Sequence, residues 1–166
     1  PGNMHNDMIR IMPNSPIPQP DMIDVPYRNK RIGETDVAAE AVMWPRILFH
    51  ALYNDLPAAF FSRIVPDVSI VEHFWKSVES TSHYMNHPVR HRANHMRRCV
   101  PIFLHADGAP CVGIGKSWSK MCDLWSWGSV LVTDGNTKAS LFLIYAFYAL
   151  LAIGEESYDA FWKGLV

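Results

Sequence analysis

The chain has 166 residues, of which 49% are hydrophobic and 19% are charged, and its net charge at neutral pH is −1. This composition supplies one substantial hydrophobic core, so it excludes a chain that is disordered throughout. The balanced charge also excludes a protein that coats nucleic acid by a general positive charge, although it permits a local basic site.

The cysteines and the longest apolar run indicate an intracellular protein without membrane contact. Cys99, Cys111 and Cys122 form an odd set with no secretory leader ahead of them, which disfavours an extracellular disulfide scaffold. The apolar run from 139 to 153 is shorter than the about 20 residues that cross a bilayer. We therefore predict reduced thiols and a buried helix.

Residues 1–33 contain five prolines between Pro13 and Pro26 and end in the basic residues Arg28, Lys30 and Arg31. This density of proline disfavours a helix or a central strand, so we predict an extended or disordered arm. The basic residues are either solvated or in contact with the phosphates of a nucleic acid.

Residues 34–98 carry apolar side chains at helical spacing, so we predict a helical region. Val37, Ala41, Trp44 and Leu48 indicate a first helix, with Pro45 starting a second piece. A short helix is expected from Pro57 to a stop at Pro66, and another over residues 68–78.

Five potential metal ligands follow at intervals of four residues: His83, His87, His91, His95 and Cys99. Such spacing can place ligands on one helical face, which suggests zinc. Pro88 interrupts any continuous helix, and the spacing matches no paired Cys or Cys/His finger. We therefore favour exposed histidines on a helix that begins near Pro88.

The same stretch is the best candidate in the sequence for phosphate contacts. It carries Arg90, Arg92, Arg97 and Arg98 and has no acidic residue from Pro88 to Arg98. Clustered arginines on one helical face would attract a polyanion, so we predict that these side chains bind DNA or another nucleic acid.

Residues 99–166 read as a three-stranded antiparallel meander followed by a buried helix. The predicted strands cover residues 100–105, 111–116 and 123–132, with a turn at Asp107 and Gly108. A loop at residues 134–136 precedes the buried helix, 138–153, and a last amphipathic helix begins near Tyr158.

Two other kinds of chemistry are excluded by local sequence. Residues 113–117, GIGKS, resemble a phosphate-binding loop, but Pro110 stands where that loop needs its first glycine. No serine lies in a nucleophile elbow, and no cysteine has a distinctive reactive context. Asp107 is left as the candidate for chemistry, either as a catalytic metal ligand or as a turn aspartate that accepts backbone hydrogen bonds.

The segment around Asp107 carries four short motifs: RRCVP at residues 97–101, HADG at 105–108, KSW at 116–118 and WSW at 125–127. With these motifs, roughly residues 87–151 resemble transposase-derived proteins of dinoflagellates. These proteins are similar to the Kyakuja, Dileera and Zisupton transposases, which have RNase H-like cores. Ala106 departs from the commoner His-Gly-Asp-Gly.

The resemblance implies an α/β protein with a partial RNase H-like core and a possible nuclear location. It makes Asp107 the first carboxylate of an Mg²⁺ site in a metal-dependent nuclease or polynucleotidyl transferase. The chain ends before a second carboxylate strand, so we expect a fragment that is inactive alone. The alternatives are a non-catalytic nucleic-acid or protein-binding module that uses Arg90 to Arg98, and a decayed reading frame.

Overall fold

A computed structural model describes residues 17–29, 33–112, 120–132 and 141–165, apart from the side chains of residues 111, 112 and 120. The elements alternate between two groups of strands and intervening helices. In chain order they are β1 (Asp21–Asn29), β2 (Glu34–Val42), α1 (Pro45–Asp55), α2 (Pro57–Arg63), α3 (Val68–Val78), α4 (Ser82–Asn86), α5 (His95–Arg98), β3 (Ile102–Val112), β4 (Lys120–Ser129), β5 (Phe142–Tyr148) and α6 (Glu155–Leu165). Single 3-10 turns cover Pro88–His91 and Ala149–Leu151.

Strands β1 and β2 form an antiparallel hairpin in which Asp21 pairs with Val42 and Asn29 pairs with Glu34. Gly33 has a φ of 74°, a conformation that suits glycine, and its amide donates to the carbonyl of Asn29 at 2.8 Å. The predicted helix over residues 34–42 is therefore wrong. The hairpin also spans the boundary between the predicted regions 1–33 and 34–98, whose division remains a prediction.

The helices that follow begin where local signals place them. Pro45 and Pro57 occupy the first turns of α1 and α2, and Asp67 caps α3 by accepting from the amide of Ser69 at 2.6 Å. These three helices confirm the predicted starts. The helix predicted from Pro88 is wrong, because this stretch forms a 3-10 turn, a bend and the four-residue α5.

Strands β3, β4 and β5 form the predicted three-stranded antiparallel meander, but from different segments. Asp107 and Gly108 are not a turn, since they pair with Leu124 and Asp123 inside a continuous β3. Residues 142–148 form the third strand, so the buried helix predicted over 138–153 is wrong. The phosphate-loop candidate at 113–117 and the loop at 134–136 lie outside the described residues.

The hydrophobic core lies between the inner face of this sheet, α1, α6 and the β1–β2 hairpin. Phe161 of α6 is fully buried at its centre. Its ring stacks on Tyr145 at 5.2 Å and on Trp44 at 5.8 Å between centroids, and it also contacts Trp125. These aromatic contacts therefore join α6 to the meander and to Trp44, which lies between β2 and α1.

The chain is thus a mixed α/β protein with a two-stranded and a three-stranded antiparallel sheet. The last amphipathic helix, predicted to begin near Tyr158, is confirmed as α6, which begins slightly earlier and covers Glu155–Leu165. Within the described ranges, no helix has the length and apolar character needed to cross a bilayer.

Candidate functional site

Residues 88–98, called here the arginine segment, are held against α3 and α4 by a small polar and aromatic cluster. The rings of Trp75, Tyr84 and His95 lie within about 6 Å of one another. The indole N–H of Trp75 donates to the carbonyl of Cys99 at 2.7 Å. The segment therefore has a defined conformation without being a regular helix.

His95 connects this cluster to the backbone of the arginine segment. Its Nδ1 lies 3.1 Å from the carbonyl oxygen of Arg92, and its Nε2 lies 2.7 Å from the hydroxyl of Tyr84. Because a carbonyl can only accept, Nδ1 carries the hydrogen in the neutral ring, and Nε2 accepts from Tyr84. Asn94 supports the bend before α5 with a left-handed φ of 58°.

The four predicted arginines are all exposed, but they are not equally free of protein contacts. Arg90 donates from Nη1 to the carbonyl of Met85 at 2.5 Å, and Arg97 pairs through Nε with Glu72 at 2.7 Å. The structure records no side-chain contact for Arg92 or Arg98 among the described residues. Both side chains are therefore open to a ligand.

The positively charged part of the sequence extends beyond both ends of the arginine segment. Between Glu79 and Asp107 the sequence contains four arginines and five histidines but no acidic residue. Glu72, from α3, is the carboxylate that reaches into the segment, and it pairs with Arg97. An exposed ion pair of this kind contributes about 1 kcal/mol or less, so it does not prevent Arg97 from contacting another anion.

The histidines do not form the zinc site that their spacing suggested. His95 is engaged by Tyr84 and Arg92, and Nδ1 of His87 accepts from the amide of Val89 at 3.1 Å. The described residues contain no group of three or more His, Cys, Asp or Glu side chains arranged to hold a metal ion.

Asp107 lies in the middle of β3, on the exposed face of the meander. Side chains alternate along a strand, so Asp107 shares its face with its cross-strand partner Leu124, while Gly108 and its partner Asp123 belong to the other face. The hydroxyl of Tyr158 in α6 donates to Oδ2 of Asp123, which confirms that Asp123 faces the helix. The two aspartates therefore point away from each other across the sheet.

The residues around Asp107 do not fit a magnesium site by themselves. His105 is on the same face two residues earlier, and its partner is Ser126. Within the described residues, Asp107 belongs to no group of three or more His, Cys, Asp or Glu side chains that could hold a metal ion. Mg²⁺ prefers several oxygen ligands in octahedral geometry, and one carboxylate does not supply them.

A second polar site, which contains Asp123, Tyr158 and Glu155, was not among the sequence predictions. Burial and the hydrogen bond to Asp123 raise the pKa of Tyr158 to about 12, so its hydroxyl stays a donor at neutral pH. Period-two spacing does put Asp123 beside Trp125 in β4, and helical spacing puts Glu155, Tyr158 and Trp162 together. These two spacings together were the feature of the sequence from which this site could have been predicted.

Comparisons with known proteins found no match for this chain. No protein-family model matches the chain. No curated protein matches it in sequence. No solved structure matches its fold.

Proposed function

We propose that this chain binds nucleic acid through the arginine segment, as the binding part of a transposase-like protein. The observation that carries the proposal is the exposure of Arg90, Arg92, Arg97 and Arg98 on one short stretch of ordered backbone. Phosphate contacts of this kind position a protein on a polynucleotide without reading its sequence.

The arginine contacts inside the protein leave donors for phosphate. A guanidinium has five N–H groups in a planar fork, and a single contact is recorded for Arg90 and for Arg97. All five N–H groups of Arg92 and of Arg98 are available to bind phosphate. The cluster of Trp75, Tyr84 and His95 fixes the backbone that carries them, which lowers the entropy lost on binding.

Salt dependence gives the expected size of the interaction. Each phosphate neutralised on a duplex contributes about −0.9 to the slope of log K against log salt concentration. The arginine segment offers two to four such contacts, so we expect a slope between about −2 and −4. This is a weak interaction with little dependence on sequence.

The experiment is fluorescence anisotropy of a labelled duplex at several salt concentrations. The variant Arg92→Ala/Arg98→Ala should weaken binding and reduce the slope by about two. The control Arg63→Ala/Lys163→Ala removes the same charge elsewhere and should leave the slope unchanged. Equal effects of the two variants would show a general charge effect and contradict the proposal.

A second candidate is that the meander is the beginning of a metal-dependent nuclease or polynucleotidyl transferase core. It is favoured by the element order, in which Asp107 lies in the first of three antiparallel strands and α6 follows the third. Asp107 would be one carboxylate of a site that residues outside the described ranges complete. Alone, it cannot hold a pair of Mg²⁺ ions, so the chain itself should not cleave nucleic acid.

The test for this candidate is metal-dependent cleavage by the full-length gene product. Asp107→Asn should abolish cleavage while DNA affinity stays within about twofold, because removing a metal ligand leaves the arginine contacts intact. Asp24→Asn, an exposed change in β1, serves as the control. Cleavage that persists in Asp107→Asn would refute the role of Asp107.

A further inference from the structure

A cavity of about 410 Å³ opens between β4 and α6, on the face of the sheet opposite Asp107. Its lining consists of three aromatic rings, Trp125, Tyr158 and Trp162, and three carboxylates, Asp123, Glu155 and Asp159. Ring faces and carboxylates both attract a cation. Among the residues that the structure describes, no basic side chain lines the cavity.

The rings are inclined to one another rather than stacked. The planes of Trp125 and Tyr158 meet at 59° with centroids 6.4 Å apart, and those of Trp125 and Trp162 meet at 83° with centroids 4.9 Å apart. A cation is attracted by a ring face within about 6 Å of the centroid. Inclined rings at these separations allow one bound group to lie near more than one face.

The carboxylates play different parts. Asp123 is occupied by the hydroxyl of Tyr158, which fixes the Tyr158 ring at the wall of the cavity. Glu155 and Asp159 lie one helical turn apart in α6, are exposed, and form no recorded ion pair within the described residues. They supply negative charge at the rim, where it acts on a ligand over several ångströms.

We propose that this cavity binds a methylated ammonium group. A metal ion is disfavoured because the described residues hold no metal-binding group. An anion is disfavoured by the three carboxylates. A bare ammonium ion is strongly hydrated, whereas a methylated ammonium is large and weakly hydrated, so it loses less hydration when it lies against the three rings.

Two kinds of ligand carry a methylated ammonium group. Choline is a small molecule, and the trimethyllysine side chain is part of a peptide. Both present the same trimethylammonium group to the cavity.

Calorimetric titration of the whole chain tests the proposal with matched probes. Choline should bind at least about fivefold more tightly than 3,3-dimethyl-1-butanol, its neutral carbon counterpart, because only the charged group gains from ring faces and carboxylates. A trimethyllysine peptide and the same peptide with unmodified lysine then distinguish the two sources. Tighter binding of the methylated peptide than of choline assigns the site to a protein partner, and the reverse assigns it to a small molecule.

Variants separate the cavity from the rest of the helix. Trp162→Leu keeps an apolar side chain but removes a ring, and Asp159→Asn removes a rim charge, so each should weaken choline binding severalfold. Glu156→Gln, on the same turn but outside the cavity lining, should leave it unchanged. Equal affinity for choline and its neutral counterpart, or no saturable binding of any probe, would overturn the proposal. DNA affinity should not change in these variants, so this result is independent of the arginine segment.

Discussion

Ser157 joins the first described strand to the last helix, and its replacement is a direct test of the packing. The side chain is fully buried. Its hydroxyl donates to the carbonyl of Pro26 in β1 at 2.6 Å and accepts from the amide of Ile153 at 3.0 Å. One side chain therefore serves two backbone groups that are distant from each other in the chain.

Ser157→Ala removes both hydrogen bonds at a fully buried position. A buried backbone group that loses its partner costs about 1–3 kcal/mol, and two groups are affected here. Some relaxation is expected, because Ile153 is only partly buried. We therefore expect the free energy of unfolding to fall by about 2–4 kcal/mol.

Urea unfolding followed by circular dichroism measures this change, with the slope against urea unchanged if both proteins unfold in one step. The control is Ser62→Ala, whose exposed hydroxyl donates to the carbonyl of Ala59 at 3.1 Å. It should change the free energy of unfolding by less than about 0.5 kcal/mol. A loss for Ser157→Ala as small as that of the control would refute the packing of α6 on β1.

Two further substitutions test the polar contacts of the two sites. Tyr84→Phe removes the donor to His95 and should lower the free energy of unfolding by about 0.5–1.5 kcal/mol in urea; no change would mean that the cluster does not hold the arginine segment. Tyr158 has a pKa of about 12 in the folded protein, above its ordinary value of 10.0, so its contribution is complete below pH 10 and is lost as the pH rises toward 12. Between pH 10 and 12, the free energy of unfolding of Tyr158→Phe should therefore fall less steeply than that of the unaltered protein. Identical dependence of this free energy on pH in the two proteins would contradict the contact with Asp123.

The helices were predictable because their signals are local. Pro57 starts α2, and Asp67 caps α3 through its own side chain, so each boundary is decided within a few residues. Tertiary packing determines how these helices lie against the rest of the protein, whereas their local sequence determines that they form. The same applies to α6, where Tyr158 and Phe161 mark one face.

The strands were harder to predict because their partners are remote or ambiguous. Residues 34–42 have apolar spacing compatible with a helix, but pairing with β1 makes them a strand. The apolar run that contains β5 has no clear period, and such a run does not distinguish a buried strand from a buried helix.

Asp107 is another position at which a local sequence pattern predicted the wrong structure. Asp-Gly is a strong turn signal, yet Gly108 continues the strand opposite Asp123. A Cβ at Gly108 would lie 3.0 Å from the terminal methyl carbon, Cε, of Met121 in the neighbouring strand, so Gly108 packs against β4 rather than forming a turn. The four arginines are exposed, as expected for their residue type, but the backbone that carries them depends on contacts with Trp75 and Tyr84 that no local pattern predicts.

The most direct measurement of the central claim is an NMR titration of the isotope-labelled chain with a short duplex. Binding through the arginine segment predicts that the amide shifts that change most belong to residues 88–98, with the arginine side-chain signals of Arg92 and Arg98 moving as well. These changes should fade as salt is raised. Shifts concentrated elsewhere in the chain, or shifts that persist at high salt, would contradict the account.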